Sequence, residues 1–201
     1  MGSTTLRDDE KAFFALKESL ESYSTISDET WHKLKGISTF RSLSKHFYLY
    51  RAGEAPSSFA YVYQGLIRCF VCDEKGNEYN KNFFGEGAFP GAMTALLTSS
   101  ASALTFEAIE DVLIIEIDFS AYRKLMIEKH DLTLLQIHYL EKNWLLAKDA
   151  REIEMAQDDA TTRYLRFIEQ YPSLVDRLPQ YHIALHLGIT PTQLSRIRKK
   201  L

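Results

Sequence analysis

Only two cysteines, Cys69 and Cys72, occur in 201 residues, too few for a disulfide framework. No apolar run approaches the roughly 18 residues that a membrane span needs. The opening residues lack the apolar stretch of a signal peptide, and Leu6 stands where a myristoylation signal wants Ser or Thr. A glycine-rich phosphate loop of P-loop type and a nucleophile elbow are both missing. Of the six histidines only His46 lies among strand-like segments, so a cupin-type metal enzyme has no converging ligand set. The expectation is a cytoplasmic protein with no membrane partner and no enzymatic activity. The 45% hydrophobic share is ample for a core and excludes disorder.

The formal net charge of −3 hides an asymmetry. From Thr161 onward the chain carries seven basic residues against two acidic ones, a balance of +5, so the remainder must carry −8. A basic C-terminal end on an acidic body suggests that one part meets a polyanion while the other does something else. The plainer alternative is that terminal helices are often basic by chance.

Periodicity divides the chain further. Phe13, Phe14, Leu16 and Leu20 sit at helical spacing within 6–23, and Ser27-Asp28-Glu29 is a cap signal ahead of Trp31 and Leu34. The period then changes. Strand-like runs occur at 45–50, 59–63, 66–72, 79–84, 105–109 and 112–117, with Asp73-Glu74-Lys75-Gly76-Asn77 as a hairpin turn. Short strands at this spacing predict a β-sandwich or barrel rather than βαβ units. From Phe119 to about Ala156 the helical period returns, with Leu125, Leu132, Tyr139, Leu146 and Ile153 recurring every seven residues. This apolar seam predicts one long helix that meets a partner helix.

The segment 180–201 carries the strongest local signal. Ile183, Ala184 and Leu187 give a first helix an inward face, Gly188 supplies a sharp turn, and Pro191 opens a second helix anchored by Leu194 and Ile197. That is a helix-turn-helix pattern. Thr192, Gln193, Ser195, Arg196, Lys199 and Lys200 remain outward, and these types read grooves and bind phosphates.

From about Phe47 the chain resembles the Crp/Fnr family of bacterial transcription regulators. The matching stretches are Tyr50-Arg51-Ala52-Gly53-Glu54, Tyr61-Val62-Tyr63-Gln64-Gly65-Leu66, Asp73-Glu74-Lys75-Gly76-Asn77-Glu78, Phe84-Gly85-Glu86-Gly87 and Leu194-Ser195-Arg196-Ile197. The resemblance implies an α+β architecture. N-terminal helices (1–40) precede a cyclic-nucleotide-binding-like β-roll, a double-stranded jelly roll (41–118). A long dimerisation helix (119–156) and an all-α helix-turn-helix domain (157–201) follow. It implies a homodimer on an inverted-repeat site of double-stranded DNA, a small-molecule effector for the roll, and RNA polymerase as a further partner. Thr192 stands where many relatives have Glu, which implies a different half-site. Gly53, Gly65 and Gly76 fall where the roll's turns need positive φ.

Departures from the family bear on the effector. Gly85 and Glu86 match the family's Gly-Glu, but the phosphate-binding arginine position falls on Ser102 and its neighbour on Ala103. The segment 87–107 contains no Lys or Arg. A buried phosphate without a cation is costly, so ordinary cyclic AMP binding is not expected, and the cofactor stays unassigned. Iron–sulfur relatives need four cysteines. Cys69 and Cys72, three apart on a strand, face opposite sides. His130 and His138 lie on a charged helix. His182 and His186 have metal-like spacing but no carboxylate nearby, so no metal is expected. A sensing or dimerisation module without DNA binding remains the alternative reading.

Overall fold

The computed structural model describes residues 7–146 and 158–201. Helix α1 (Asp8–Glu21) buries Ala12, Phe13, Leu16 and Leu20 along one face. Helix α2 (Asp28–Gly36) starts at Ser27, whose hydroxyl accepts a hydrogen bond from the Thr30 amide at 3.2 Å. Seven strands follow: β1 (Ser38–Leu43), β2 (Tyr48–Tyr50), β3 (Ser58–Gln64), β4 (Ile67–Cys72), β5 (Glu78–Phe84), β6 (Thr105–Ala108) and β7 (Val112–Asp118). A short helix α3 (Met93–Thr98) lies between β5 and β6. All pairings are antiparallel, in a three-stranded sheet β1-β7-β3 and a four-stranded sheet β2-β6-β4-β5. The expected roll is present, with positive φ at Gly53, Gly65 and Gly76 (+90°, +99° and +82°). At Gly65 a Cβ would lie 2.5 Å from the Asp111 carbonyl oxygen, so no side chain fits there.

Strand β1 begins before residue 41, inside the segment expected to be N-terminal helices. It pairs with β7 from Ser38↔Ile117 to Leu43↔Val112. Its sequence, Ser-Thr-Phe-Arg-Ser-Leu, is polar enough to hide its strand character, because it is an edge strand and largely exposed.

The expected long helix is divided. Helix α4 (Phe119–Glu128) ends at Lys129, whose backbone is extended (φ −120°, ψ 105°), and α5 (His130–Leu140) starts again. Asp131 fixes the break. Its carboxylate accepts from the Ser27 amide (2.8 Å), the Thr30 hydroxyl (2.9 Å) and the Leu132 amide (2.8 Å), tying α5 to the start of α2. These donors hold the Asp131 pKa below its ordinary value, although burial raises it. A seven-residue repeat runs through such a break unaltered, so periodicity does not reveal it. A π-helical turn (Glu141–Leu146) continues α5, and the rest of the expected helix, Ile153 included, lies outside the described residues.

The seam itself also differs from expectation. Leu125 and Leu132 are buried in the cluster formed with α1, α2 and the first sheet. The Tyr139 ring meets Tyr23 and Phe89 edge-on at 5.3 and 5.6 Å, and burial pushes its hydroxyl pKa up to about 12. Leu146 is exposed. From Leu125 to Tyr139 the repeat therefore marks a face covered by other parts of the same chain. Off that face, Leu134, Ile137 and Leu140 on α5 and Trp144 and Leu145 in the π-helical turn remain exposed.

Candidate nucleic-acid interface and effector site

The C-terminal region begins with α6 (Ala160–Gln170), capped by Asp159, whose carboxylate accepts from the Thr162 amide at 2.8 Å. Helix α7 (Gln180–Leu187) ends at Gly188 (φ +66°), and α8 (Pro191–Arg198) follows. Leu194, fully buried, packs with Ile183, Ala184 and Leu187, so α8 is anchored by one face. Its opposite face exposes Thr192, Arg196, Lys199 and Lys200, with Arg198 beside them. Ser195 is half-buried. Gln193 is exposed but used locally: its Oε1 accepts from the Thr190 amide at 2.9 Å, while its own amide donates to the Thr190 hydroxyl oxygen at 3.2 Å. That capping box turns Gln193 back on the helix start.

The roll interior is filled. Tyr50 and Phe84 flank Phe106, with ring centroids 5.7 and 6.0 Å away, and Leu49, Val62, Ile67, Ala92 and Ala95 close around them. Ile67 and Cys69 point into this core, so Arg68 between them points out. Arg68 is the one buried cation among the described residues. It donates to Glu107 through Nε (2.8 Å) and Nη2 (2.6 Å), and to Asn80 Oδ1 through Nη1 (3.1 Å). Glu78 completes the network. Burial raises the Glu107 carboxyl, but Arg68 and His46 outweigh it and hold the pKa below its ordinary value. Burial likewise pushes the Cys69 thiol up to about 12, which suits an inert core residue rather than a ligand.

Two sheets close around an apolar core, with a short helix between the fifth and sixth strands. Residues 40–129 match the cyclic nucleotide-binding domain. No curated protein matches the chain in sequence. Its fold is that of several solved structures. The regulator CLP of Xanthomonas campestris, described as c-di-GMP responsive, aligns with a TM-score of 0.67 at 17% identity over 87% of this chain and 91% of that one. FixK2 of Bradyrhizobium japonicum aligns at 0.68 and 19% over 82% and 84%. The Catabolite Activator Protein of Thermus thermophilus aligns at 0.54 and 19% over 91% and 86%.

The four residues expected at an effector site have separate surroundings. Ser102 is buried and structural. Its hydroxyl exchanges hydrogen bonds with Leu104 (2.9 and 3.0 Å), and its backbone bridges Gly53 and Glu54 at 2.8 Å each. Ala103 is exposed. Gly85 lies under Leu174, whose Cδ2 would be 3.1 Å from a Cβ there. Glu86 accepts from the Gly65 amide at 2.9 Å and from Arg177 at 2.8 and 3.0 Å. Arg177 also donates to Glu110 at 2.6 and 3.0 Å. Gly85 and Glu86 therefore join the roll to the C-terminal helices. In the sequence Arg177 enters only the basic charge balance and Arg68 has no assigned role. An arginine inside the apolar run 66–71 was the available signal for Arg68; none existed for Arg177.

Among the described residues, no group of three or more His, Cys, Asp or Glu could hold a metal, and no helix is long and apolar enough to cross a membrane.

Proposed function

We propose that this protein is a DNA-binding transcription regulator of the Crp/Fnr type, acting as a cytoplasmic homodimer on an inverted-repeat site. One observation supports it above the others: α8 is anchored by fully buried Leu194 and turns Thr192, Arg196, Lys199 and Lys200 to solvent. A helix held this way can enter a major groove while its basic end meets phosphates. Two-fold symmetry of the dimer dictates the inverted repeat. The exposed stripe Leu134–Ile137–Leu140 is the surface for the second copy, in place of the Leu125–Leu132–Tyr139 seam. RNA polymerase belongs to this reading as a partner by resemblance.

Binding-site selection on randomised duplexes tests it. The unaltered protein enriches an inverted repeat, and Arg196→Ala loses roughly 1–3 kcal/mol at one base position and relaxes specificity there. Lys199→Ala and Lys200→Ala weaken all sequences alike, each lowering the salt slope by about 1. Enrichment of no repeat would instead support a sensing or dimerisation module.

The roll, on this reading, does not take cyclic AMP. Its interior is occupied by Tyr50, Phe84 and Phe106, and Arg68 is committed outside. Isothermal calorimetry with cyclic AMP gives no saturable heat at low micromolar ligand. A clear saturable signal there would overturn this part of the proposal.

A further inference from the structure

The outer face of the four-stranded sheet is covered by the C-terminal helices. Phe83 sits among Phe167, Tyr171 and His186, with centroids 5.3–6.3 Å apart. At the centre of this contact is Asn80, fully buried on β5. Both histidines of α7 bind it, and they do so with opposite polarity.

The polarity follows from Arg68. A guanidinium only donates, so Asn80 Oδ1, 3.1 Å from Arg68 Nη1, is fixed as the acceptor. The Asn80 amide nitrogen therefore faces α7, where it donates to the His182 carbonyl at 2.9 Å and lies 3.3 Å from His182 Nδ1. His182 Nδ1 must then be the unprotonated acceptor. His186 is the reverse case. Its Nδ1 lies 2.8 Å from the Asn80 carbonyl oxygen, which can only accept, so that nitrogen carries a proton. A second proton on His186 is compatible with this bond; one on His182 Nδ1 sets N–H against N–H.

We propose that protonation of His182 releases the C-terminal helices from the roll, making their docking a proton-sensitive contact. The charged and titratable groups facing His182 are Arg68 on β4, Glu78 on β5, Glu107 on β6 and His46 in the β1–β2 turn. Both carboxylates are held by Arg68, and among the described residues the hydrogen-bond partner of the His182 ring is Asn80, whose amide nitrogen offers no acceptor. Burial first, and then the Arg68 charge, lower the His182 pKa from its ordinary 6.5. The docked form thus binds fewer protons than the released form. Docking is full above pH 6.5 and weakens as pH falls, by up to about tenfold per unit until the docked-state pKa is passed. Glu86 and Glu110 also make ionic contacts across the interface, both with Arg177. The Glu86 pKa is lowered, which places its protonation at more acid pH.

Hydrogen exchange on the full chain, corrected for intrinsic rate, tests this between pH 7.5 and 5. Peptides covering β5 and α7 lose protection on acidification, while those covering β7 keep it. His182→Gln, whose Oε1 accepts without titrating, keeps docking constant over this range, and His186→Gln leaves the acid transition in place. Loss of protection in His182→Gln at the same pH as the unaltered protein, or protection retained to pH 5 in the latter, overturns the proposal. Should His182→Gln dock at no pH, NMR titration of His182 in the unaltered chain decides. A value below 6.5, with coincident shifts at Asn80 and Phe83, supports release, and a value at or above 6.5 overturns it. None of these readouts involves DNA, so they stand apart from the selection experiment above.

Discussion

Leu134→Glu combined with Ile137→Glu is expected to give single chains in sedimentation at micromolar concentration, where the proposed dimer predicts that the unaltered protein sediments as two. Both side chains are part of the exposed stripe on α5, and neither belongs to the buried cluster. Two carboxylates placed in an apolar interface cost at least about 3 kcal/mol, which raises the dissociation constant roughly a hundredfold or more. Thermal unfolding of the monomer stays cooperative, because the fold of each chain is untouched. Leu132→Ala behaves in the opposite way. It empties a site with no exposed surface, costs about 2–5 kcal/mol of folding stability, and does not change the surface offered to a second copy. A dimer that survives the double substitution, or an unaltered protein that is monomeric, would remove the stripe from the assembly.

Arg68→Ala lowers the urea midpoint by the equivalent of about 3–5 kcal/mol, the usual result of leaving one member of a buried ion pair alone. Arg68 has 6% of its surface exposed and Glu107 9%, so solvent screens the pair little. The change also removes the cation that lies 3.8 Å over the Phe70 ring and the donor that orients Asn80. The loss depends on pH in a definite direction. In the intact protein the Glu107 pKa is held below its ordinary 4.5. The pair's stabilisation is therefore full above 4.5 and lost as pH falls through the lower folded value. Without Arg68, burial raises the Glu107 carboxyl, which then protonates readily, and the gap between variant and unaltered protein narrows in acid. A gap that stays constant below pH 4.5 would show that Arg68 stabilises by packing rather than by charge.

Much of the architecture was legible because local rules and tertiary context agree. Asp73 accepts from the Lys75 and Asn77 amides at 2.9 and 2.8 Å, so the hairpin turn forms where Asp-Glu-Lys-Gly-Asn says it should. Gly188 and Pro191 bound the last two helices for the same reason. What failed were readings that needed a partner to be named. A seven-residue repeat identifies a face, not its cover, and for Leu125 and Leu132 the cover comes from α1, α2 and the first sheet of the same chain. Matching Gly85-Glu86 to a motif gave no hint that Leu174 and Arg177, some ninety positions away, would sit on it. Polar strand β1 became a strand only because β7 offered it an edge.

The covered outer face of the sheet has a consequence for dissecting the molecule. Leu66, Phe83 and Ile109 belong to the roll, yet they are buried in one cluster with Tyr164, Phe167, Leu174 and Leu178. The stretch 40–129 is a unit of resemblance, but a chain cut after it would turn these three side chains to water as a single greasy patch. Fragments, fusions and grafts made from this roll need either the C-terminal helices or polar replacements at those three positions. The boundary that recurs in sequence runs through the middle of a shared core.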